Sequence, residues 1–204
     1  ETDDGFSIGA MVTLRQLELH PGLAAYTDGA VQESVRHIVG VQLRNLATVG
    51  GSIYSRFGFS DVLTMFLALN ASVELYKGGV VPLAEYAQRP YDRDILVGVL
   101  VPKENARFVY QSVRNSQTDF PVLTCAAAKL ADGSIRTAIG ARPGKAVLYT
   151  AAPEAGETAE EFAARFAAEV KAGIKTESNL RGSAEYRRHL AGVLTKRAVC
   201  RLEG

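Results

Sequence analysis

The sequence predicts an α+β fold in two parts, and three observations lead to this prediction. Up to about residue 101, short strand-like runs are mixed with helical segments. Three strand-like runs follow, with Asp132-Gly133, a typical hairpin turn, between the second and the third. Two amphipathic helices end the chain. We therefore expect a mixed first part followed by an antiparallel hairpin sheet backed by helices.

The first part, residues 1–101, opens with a strand-like run, GFSIGAMVTL, and continues as a short helix in TLRQLELHPGL, which is expected to end at His20-Pro21-Gly22. Residues 28–39 repeat apolar side chains at helical spacing, which predicts a second helix. Asp61 stands at the start of the apolar segment DVLTMFLALNA, where its carboxylate can cap a helix. The β-branched run ILVGVLVP predicts a strand that stops at Pro102.

The second part, residues 102–204, begins in the polar stretch after that strand. Thr158 and Glu161 have the spacing of a capping box and predict the start of a helix. Ser183 is expected to cap the last helix, whose apolar stripe runs from Tyr186 to Leu194. This helix and the residues before it carry a group of basic side chains, Arg181, Arg187, Arg188, Lys196 and Arg197. We expect them to form a solvated basic face, and a surface that docks a partner is the alternative.

Composition and charge exclude several classes of function. The 23 basic and 22 acidic side chains give a net charge of +1, which provides no general attraction to nucleic acid or anionic lipid. No apolar run has the roughly 20 residues that cross a bilayer, and the first residues lack the pattern of a signal peptide, so we expect a cytoplasmic protein. The three histidines are scattered, which argues against a metal site. Two cysteines cannot hold an iron–sulfur cluster by themselves, so any such cluster belongs to a partner.

The segment LRNLATVGGSIYSRFGFSD places Gly50 and Gly51 between the hydroxyl side chains of Thr48 and Ser52, with Asp61 a short way downstream. Glycines leave backbone N–H groups uncovered, so such a loop can offer several donors to a phosphate-like anion. A carboxylate accepts hydrogen bonds from sugar or polyol hydroxyls. The combination indicates a nucleotide-like ligand, and a Gly-Gly bend without any ligand is the alternative that these residues leave open.

Three segments, in order, resemble one known family. VQLRNLATVGGSIYSRFGFSD resembles the signature Q-I-R-N-x-A-T-x-G-G-N followed by S-D. RGSAEYRRHLAGVLTKRA resembles a closing helix R-G-S-x-x-Y-R, and GFSIGAMVTLRQLELHP is similar to an element I-G-A-x-x-T-L. The family is that of the FAD-binding subunits of molybdenum hydroxylases, of the xanthine dehydrogenase and carbon monoxide dehydrogenase type. The three matches span almost the whole chain.

The resemblance implies the C-terminal part of a vanillyl-alcohol-oxidase-like FAD-binding domain over residues 1–101. A small domain of the CO dehydrogenase flavoprotein type, an antiparallel sheet with helices, would occupy residues 102–204. Matching positions imply these contacts with FAD: Thr48, Val49, Gly50 and Gly51 at the diphosphate, Ser52 near the phosphates or the ribityl chain, Asp61 at ligand hydroxyls, and Ile38 and Leu96 at the isoalloxazine ring.

The chain also departs from the family pattern. The proline that many relatives carry before S-D is Gly58 here, and a lysine found after the domain boundary corresponds to Gln111 or Ser112. The family's first FAD loop, Gly-Gly-x-[TH]-[DS], has no counterpart in these 204 residues. The electron acceptor and the completeness of the diphosphate site are therefore open.

Two functions follow from the resemblance and its departures. The first is an electron-transfer component, in which FAD on this chain receives electrons from a molybdenum-cofactor subunit through a [2Fe–2S] subunit and passes them to NAD⁺ or another acceptor. Molybdopterin and [2Fe–2S] centres would lie on the partners, and no catalytic side chain is expected here. The second is a cofactor-free scaffold or assembly subunit that retains the fold and the partner contacts.

Overall fold

The computed structural model describes residues 1–204 and contains eight strands and nine helices. The strands are β1 (Gly5–Gly9), β2 (Ser72–Leu75), β3 (Gly79–Pro82), β4 (Leu96–Pro102), β5 (Ala106–Val113), β6 (Leu123–Leu130), β7 (Ile135–Gly140) and β8 (Val147–Ala151). The helices are α1 (Leu14–Leu19), α2 (Pro21–Tyr26), α3 (Ala30–Arg36), α4 (Val41–Arg44), α5 (Val49–Tyr54), α6 (Asp61–Ala68), α7 (Leu83–Tyr86), α8 (Ala159–Gly173) and α9 (Ala184–Glu203).

The strands form two antiparallel sheets of four strands each. The first sheet has the order β1-β4-β2-β3, and the second is a simple meander, β5-β6-β7-β8. Asp132 and Gly133 make the turn between β6 and β7, where Gly133 has φ +83° and Asp132 Oδ1 accepts a hydrogen bond from Ser134 N. The predicted α+β fold class with its hairpin sheet is confirmed.

The second sheet is covered on both faces. Helices α8 and α9 pack on one face, around Phe162, Phe166 and Leu194. Helix α6, which comes from the first part of the chain, packs on β6 and β7 at the other face. A Cβ atom on Gly140 would lie 2.2 Å from Thr64 Oγ1, so only glycine allows α6 to approach this closely. One apolar core thus joins the first part of the chain to the second sheet, and the division at residue 101 stays a prediction.

Helix starts follow the local signals, with two corrections. Thr158 and Glu161 form the predicted capping box, and Ser183 caps α9. The short helix expected to end at His20-Pro21-Gly22 does end there, with Leu19 as its last residue and His20 as its C-cap. Pro21 and Gly22, however, expected only to stop it, occupy the first turn of a second helix, α2. Ser60, not Asp61, caps α6: its hydroxyl accepts a hydrogen bond from Leu63 N at 3.1 Å.

The expected basic face of α9 is wrong for Arg187. This side chain is only 1% exposed, and it donates hydrogen bonds to the carbonyl oxygens of Val122, Glu177 and Gly182 and to Asn179 Oδ1. Burial lowers its pKa from the ordinary value. Arg187 therefore ties the loop before α9 to the second sheet, whereas Tyr186, expected in the apolar stripe, is 44% exposed.

No helix in the structure combines the length and the apolar content that crossing a bilayer requires.

Candidate functional site

A cavity of about 510 Å³ lies where α5 and the start of α6 meet the segment after α3 and the loop after β5. Its apolar wall consists of Leu14, Ile38, Val39, Leu46, Ala47, Phe57, Phe59, Val62 and Phe120. Its polar wall consists of Thr48, Gly51, Ser52, Ser55, Ser60, Asp61, Arg114, Thr118 and Asp119. The cavity therefore offers apolar surface to a planar ring and hydroxyl and charged groups to a polar chain.

The Gly-Gly segment is the start of a short helix, α5, and not an open loop. Thr48 caps it by accepting a hydrogen bond from Gly51 N at 3.1 Å. Gly50 N donates to Ala10 O at 2.8 Å, because the backbone after β1 runs alongside. The expectation that the two glycines present free amides is wrong, since both amides have partners within the chain.

Five of the eight predicted site residues line the cavity, and three do not. Thr48, Gly51, Ser52, Asp61 and Ile38 line it. The remaining three do not: Val49, Gly50 and Leu96 are absent from the wall.

These three residues have structural surroundings that explain their burial. Val49 is fully buried. A Cβ on Gly50 would lie 2.7 Å from both Cβ and O of Ala10, so glycine is required there by the neighbouring backbone and not by a ligand. Leu96 is 8% exposed and belongs to β4, which packs against α5.

Asp61 is the buried charge of the cavity. It is 5% exposed, and its Oδ1 accepts hydrogen bonds from Tyr110 Oη and Arg114 Nη2. Burial raises the Asp61 pKa to about 6, and Arg114 and Tyr110 oppose this shift by stabilising the carboxylate. Because both donors reach the same oxygen, Oδ2 is left to accept a hydrogen bond from a ligand.

Sequence reasoning missed Tyr110, Arg114 and Asp119. All three lie in the second part of the chain, on β5 and the loop after it. Arg114 and Asp119 line the cavity, and Tyr110 reaches Asp61 from outside the cavity wall, because α6 packs on the second sheet. No local pattern links them to Asp61. Gln111 and Ser112, considered as counterparts of the family's lysine, lie on β5 outside the cavity wall.

Three phenylalanine rings stand at the cavity. Phe57 stacks on Phe59 with ring centroids 5.0 Å apart, and Phe59 meets Phe120 edge to face at 4.5 Å. Each ring is between 39% and 50% exposed. This aromatic surface is large for an exposed position, and it can shield one edge of a planar ligand.

The raised pKa of Asp61 predicts a specific pH dependence of stability. Between the ordinary pKa of 3.8 and about 6, the folded protein holds a proton that the unfolded chain has released. The contribution of Asp61 to the free energy of unfolding therefore falls as the pH rises through this window, and it is constant above it. Asp61→Asn does not titrate. We expect the wild-type stability minus that of Asp61→Asn to decrease by about 2 kcal/mol between pH 4 and pH 6.

Urea denaturation of both proteins across this pH range measures the difference. Carboxylates other than Asp61 titrate in both proteins and cancel. A difference that stays constant with pH would show that Asp61 is ionised as readily in the folded protein as in water, and one that grows as the pH rises would show that it is ionised more readily; either result contradicts the raised pKa.

The comparisons with known proteins agree with this geometry. Residues 1–104 match the model of the FAD binding domain in molybdopterin dehydrogenase, and residues 108–202 match that of the CO dehydrogenase flavoprotein C-terminal domain. The chain is 27% identical to an uncharacterized protein of Escherichia coli, YgfM, over 92% of this chain and 69% of that one. It is 26% identical to the glyceraldehyde dehydrogenase medium chain of Sulfolobus acidocaldarius, over 96% of this chain and 75% of that one.

A solved structure supports the fold. The CO dehydrogenase of Oligotropha carboxidovorans superposes with a TM-score of 0.86 over all of this chain and 77% of the matched chain, at 23% identity. Fold and family models together define a two-sheet α+β flavoprotein. The chain belongs to the FAD-binding domain family of molybdopterin dehydrogenases, followed by a CO dehydrogenase flavoprotein C-terminal domain, and is an oxidoreductase component.

Proposed function

We propose that this chain is the FAD-carrying electron-transfer subunit of a molybdenum hydroxylase. The observation that carries the proposal is the cavity itself, in which Ile38, Thr48, Gly51, Ser52 and Asp61, separated in sequence, line one space. The family to which the chain belongs is defined by FAD binding. The apolar wall fits a flavin ring, and the hydroxyl groups and Asp61 fit a polyol chain.

The residues of the chain would bind and orient the cofactor. We assign Ile38 and the phenylalanine rings to the isoalloxazine ring and Asp61 Oδ2 to ribityl hydroxyls. Thr48 Oγ1 accepts from Gly51 N, and its own hydrogen remains available for a phosphate oxygen. Ser52 lies one turn further and donates to Thr48 O, so it supports Thr48 as well as lining the site.

Val49, Gly50 and Leu96 would act from behind the wall. Gly50 allows the chain after β1 to lie against α5, and its amide holds that chain in place. Val49 N donates to Val12 O at 2.9 Å in the same contact. Leu96 belongs to the strand that packs against α5. These residues would fix the position of Thr48 and Gly51 and would make no direct contact with the cofactor.

Bound FAD accepts electrons singly and releases them in pairs, which suits transfer between a one-electron donor and a two-electron acceptor. The chain needs no nucleophile for this task; its residues position the ring and exclude water from it. We propose that the partners are a molybdenum-cofactor subunit and a [2Fe–2S] subunit, that NAD⁺ is one candidate acceptor, and that the complex acts in the cytoplasm.

The proposal is tested in two steps. The purified chain is mixed with FAD, and bound flavin is measured by its visible absorption after gel filtration. Flavin-loaded chain is then mixed, without oxygen, with a chemically reduced [2Fe–2S] subunit of the same complex, and bleaching of the flavin is followed by stopped flow. Bound flavin that the reduced partner bleaches is the expected result. Bound flavin that stays oxidised would overturn the electron-transfer role.

A cofactor-free scaffold subunit is the second candidate, and one observation favours it. The amides of Gly50 and Gly51 have internal partners, so the chain offers fewer donors to a diphosphate than the sequence suggests. A chain that shows no flavin absorption after gel filtration from excess FAD, yet binds its partner subunits, would support this role.

A further inference from the structure

The free edge of the second sheet lies at the floor of a groove. Strand β5 is the first strand of the sheet order β5-β6-β7-β8 and therefore has a neighbour on one side only. Helix α3 lies on one side of β5 and the end of α9 lies on the other, and the three elements enclose a groove of about 950 Å³. Arg107 Nη1 donates to Leu202 O at 3.0 Å and fixes the end of α9 beside the strand. No residue lines both this groove and the cavity at Asp61, although Tyr110 of the groove donates a hydrogen bond to Asp61.

The outer edge of β5 has no backbone partner in the chain. Apart from the hydrogen bonds that pair β5 with β6, the only backbone hydrogen bond of β5 joins Val122 N to Val113 O, within the connection between these two strands. In an antiparallel edge strand, every second residue directs its N–H and C=O away from the neighbouring strand. The eight residues Ala106–Val113 thus present a row of unpaired donors and acceptors. Another extended backbone is the group that satisfies such a row.

The two walls of the groove carry opposite charges. The α3 wall has Asp28, which is in no ion pair, and Glu33, whose two carboxylate oxygens contact Arg36 and His37. The α9 wall has Arg197 and Arg201, both exposed and in no ion pair. Successive side chains of a strand point to opposite faces. A strand lying on β5 would therefore place alternate side chains against an acidic wall and a basic wall.

We propose that this groove binds an extended segment of a partner polypeptide, which adds to β5 as a fifth strand of the second sheet and carries basic and acidic side chains in alternation. Main-chain hydrogen bonds to β5 would supply affinity, and the two charged walls would select the sequence. A second copy of this chain fits less well, because its own β5 lies at the floor of an identical groove between two helices and cannot reach this one.

The experiment uses a fluorescent octapeptide of alternating Lys and Glu as the probe, and its binding to the full chain is measured by anisotropy. Reversal of the basic wall in the Arg197→Glu/Arg201→Glu variant is expected to weaken binding at least about tenfold. The Arg188→Glu/Lys196→Glu variant makes the same change of charge on α9 outside the groove and serves as the control. It is expected to bind like the wild type at moderate salt.

Two methylated peptides test for strand addition directly. One is N-methylated at every Lys and the other at every Glu, so each loses the amide donors along one edge only. We expect one of them to lose binding and the other to keep it, because only one edge faces β5. Equal binding of both, or no binding of the unmethylated peptide, overturns the proposal. Self-association of the chain that the Arg197→Glu/Arg201→Glu variant abolishes would assign the groove to a second copy and also overturn it.

Discussion

Replacing Gly51 with Leu is expected to abolish flavin binding without unfolding the protein. Gly51 lines the cavity, and a Cβ there would meet only Thr48 Oγ1, at 3.2 Å, so a larger side chain extends into the space that we assign to the cofactor. Gly51 is exposed and lies in α5, where Leu is the better helix former by up to about 1 kcal/mol. The affinity for FAD should fall at least about a hundredfold, which corresponds to about 2.7 kcal/mol of binding free energy. The melting temperature should stay unchanged.

Gly9→Leu is the matched control for this variant. A Cβ on Gly9 would have no atom within 4 Å, and Gly9 is exposed and outside the cavity wall. The same side chain is thus added to the same kind of surface elsewhere. Flavin absorption after gel filtration and thermal unfolding are measured for both variants. Full flavin content in Gly51→Leu would show that the cofactor does not occupy this cavity.

Replacing Arg187 with Met is expected to lower the free energy of unfolding by about 3 kcal/mol or more. Met keeps much of the apolar stem but removes donors to three carbonyl oxygens, of Val122, Glu177 and Gly182, and to Asn179. Hydrogen bonds from a charged group contribute about 1.5–3 kcal/mol each, and buried acceptors left without a donor add to the loss. Some of this loss is offset, because the buried guanidinium no longer has to be desolvated.

Arg188→Met provides the control for Arg187→Met. Arg188 is the next residue of α9, and its exposed side chain makes no hydrogen bond within the chain, so its replacement should change stability by no more than about 0.5 kcal/mol. Urea denaturation of both variants gives the comparison. If the two variants lose the same small amount, the hydrogen bonds of Arg187 do not hold the loop before α9 to the sheet.

Local signals in the sequence predicted much of the fold because the physics behind them is local. The Asp132-Gly133 turn requires a positive φ that glycine adopts readily, and the Thr158–Glu161 capping box closes within four residues. The prediction that Asp61 caps α6 was wrong because a neighbouring residue makes the same local contact. Ser60 satisfies the same amides, which leaves the Asp61 carboxylate free to face Arg114.

The candidate site could be predicted only where its residues lie close together in the sequence. Thr48, Gly51 and Ser52 follow from the glycine pattern and the family resemblance, and all three line the cavity. Tyr110 and Arg114 reach Asp61 across 49 and 53 residues of chain through the packing of α6 on the second sheet. A long-range contact of this kind leaves no spacing to detect.

Arg187 illustrates the opposite error. A charged residue in a basic helix was expected on the surface, because charges are seldom buried without partners. Its partners are three backbone carbonyl oxygens, in the loop before α9 and in the chain that enters β6, and the side-chain oxygen of Asn179. No charge pattern in the sequence predicts such partners. Sequence reasoning of this kind finds ion pairs more easily than it finds buried charges held by the backbone.

The central claim is that the space between Ile38, Thr48, Asp61 and the phenylalanine rings receives the isoalloxazine ring. Photolabelling with FAD that carries an azide on this ring, followed by mass spectrometry of the peptides, tests it most directly. We predict labelled residues within 38–47, 57–59 or at Phe120, and loss of the label when unlabelled FAD is in excess. Labelling confined to the groove along β5, or labelling anywhere that excess FAD does not prevent, would contradict it.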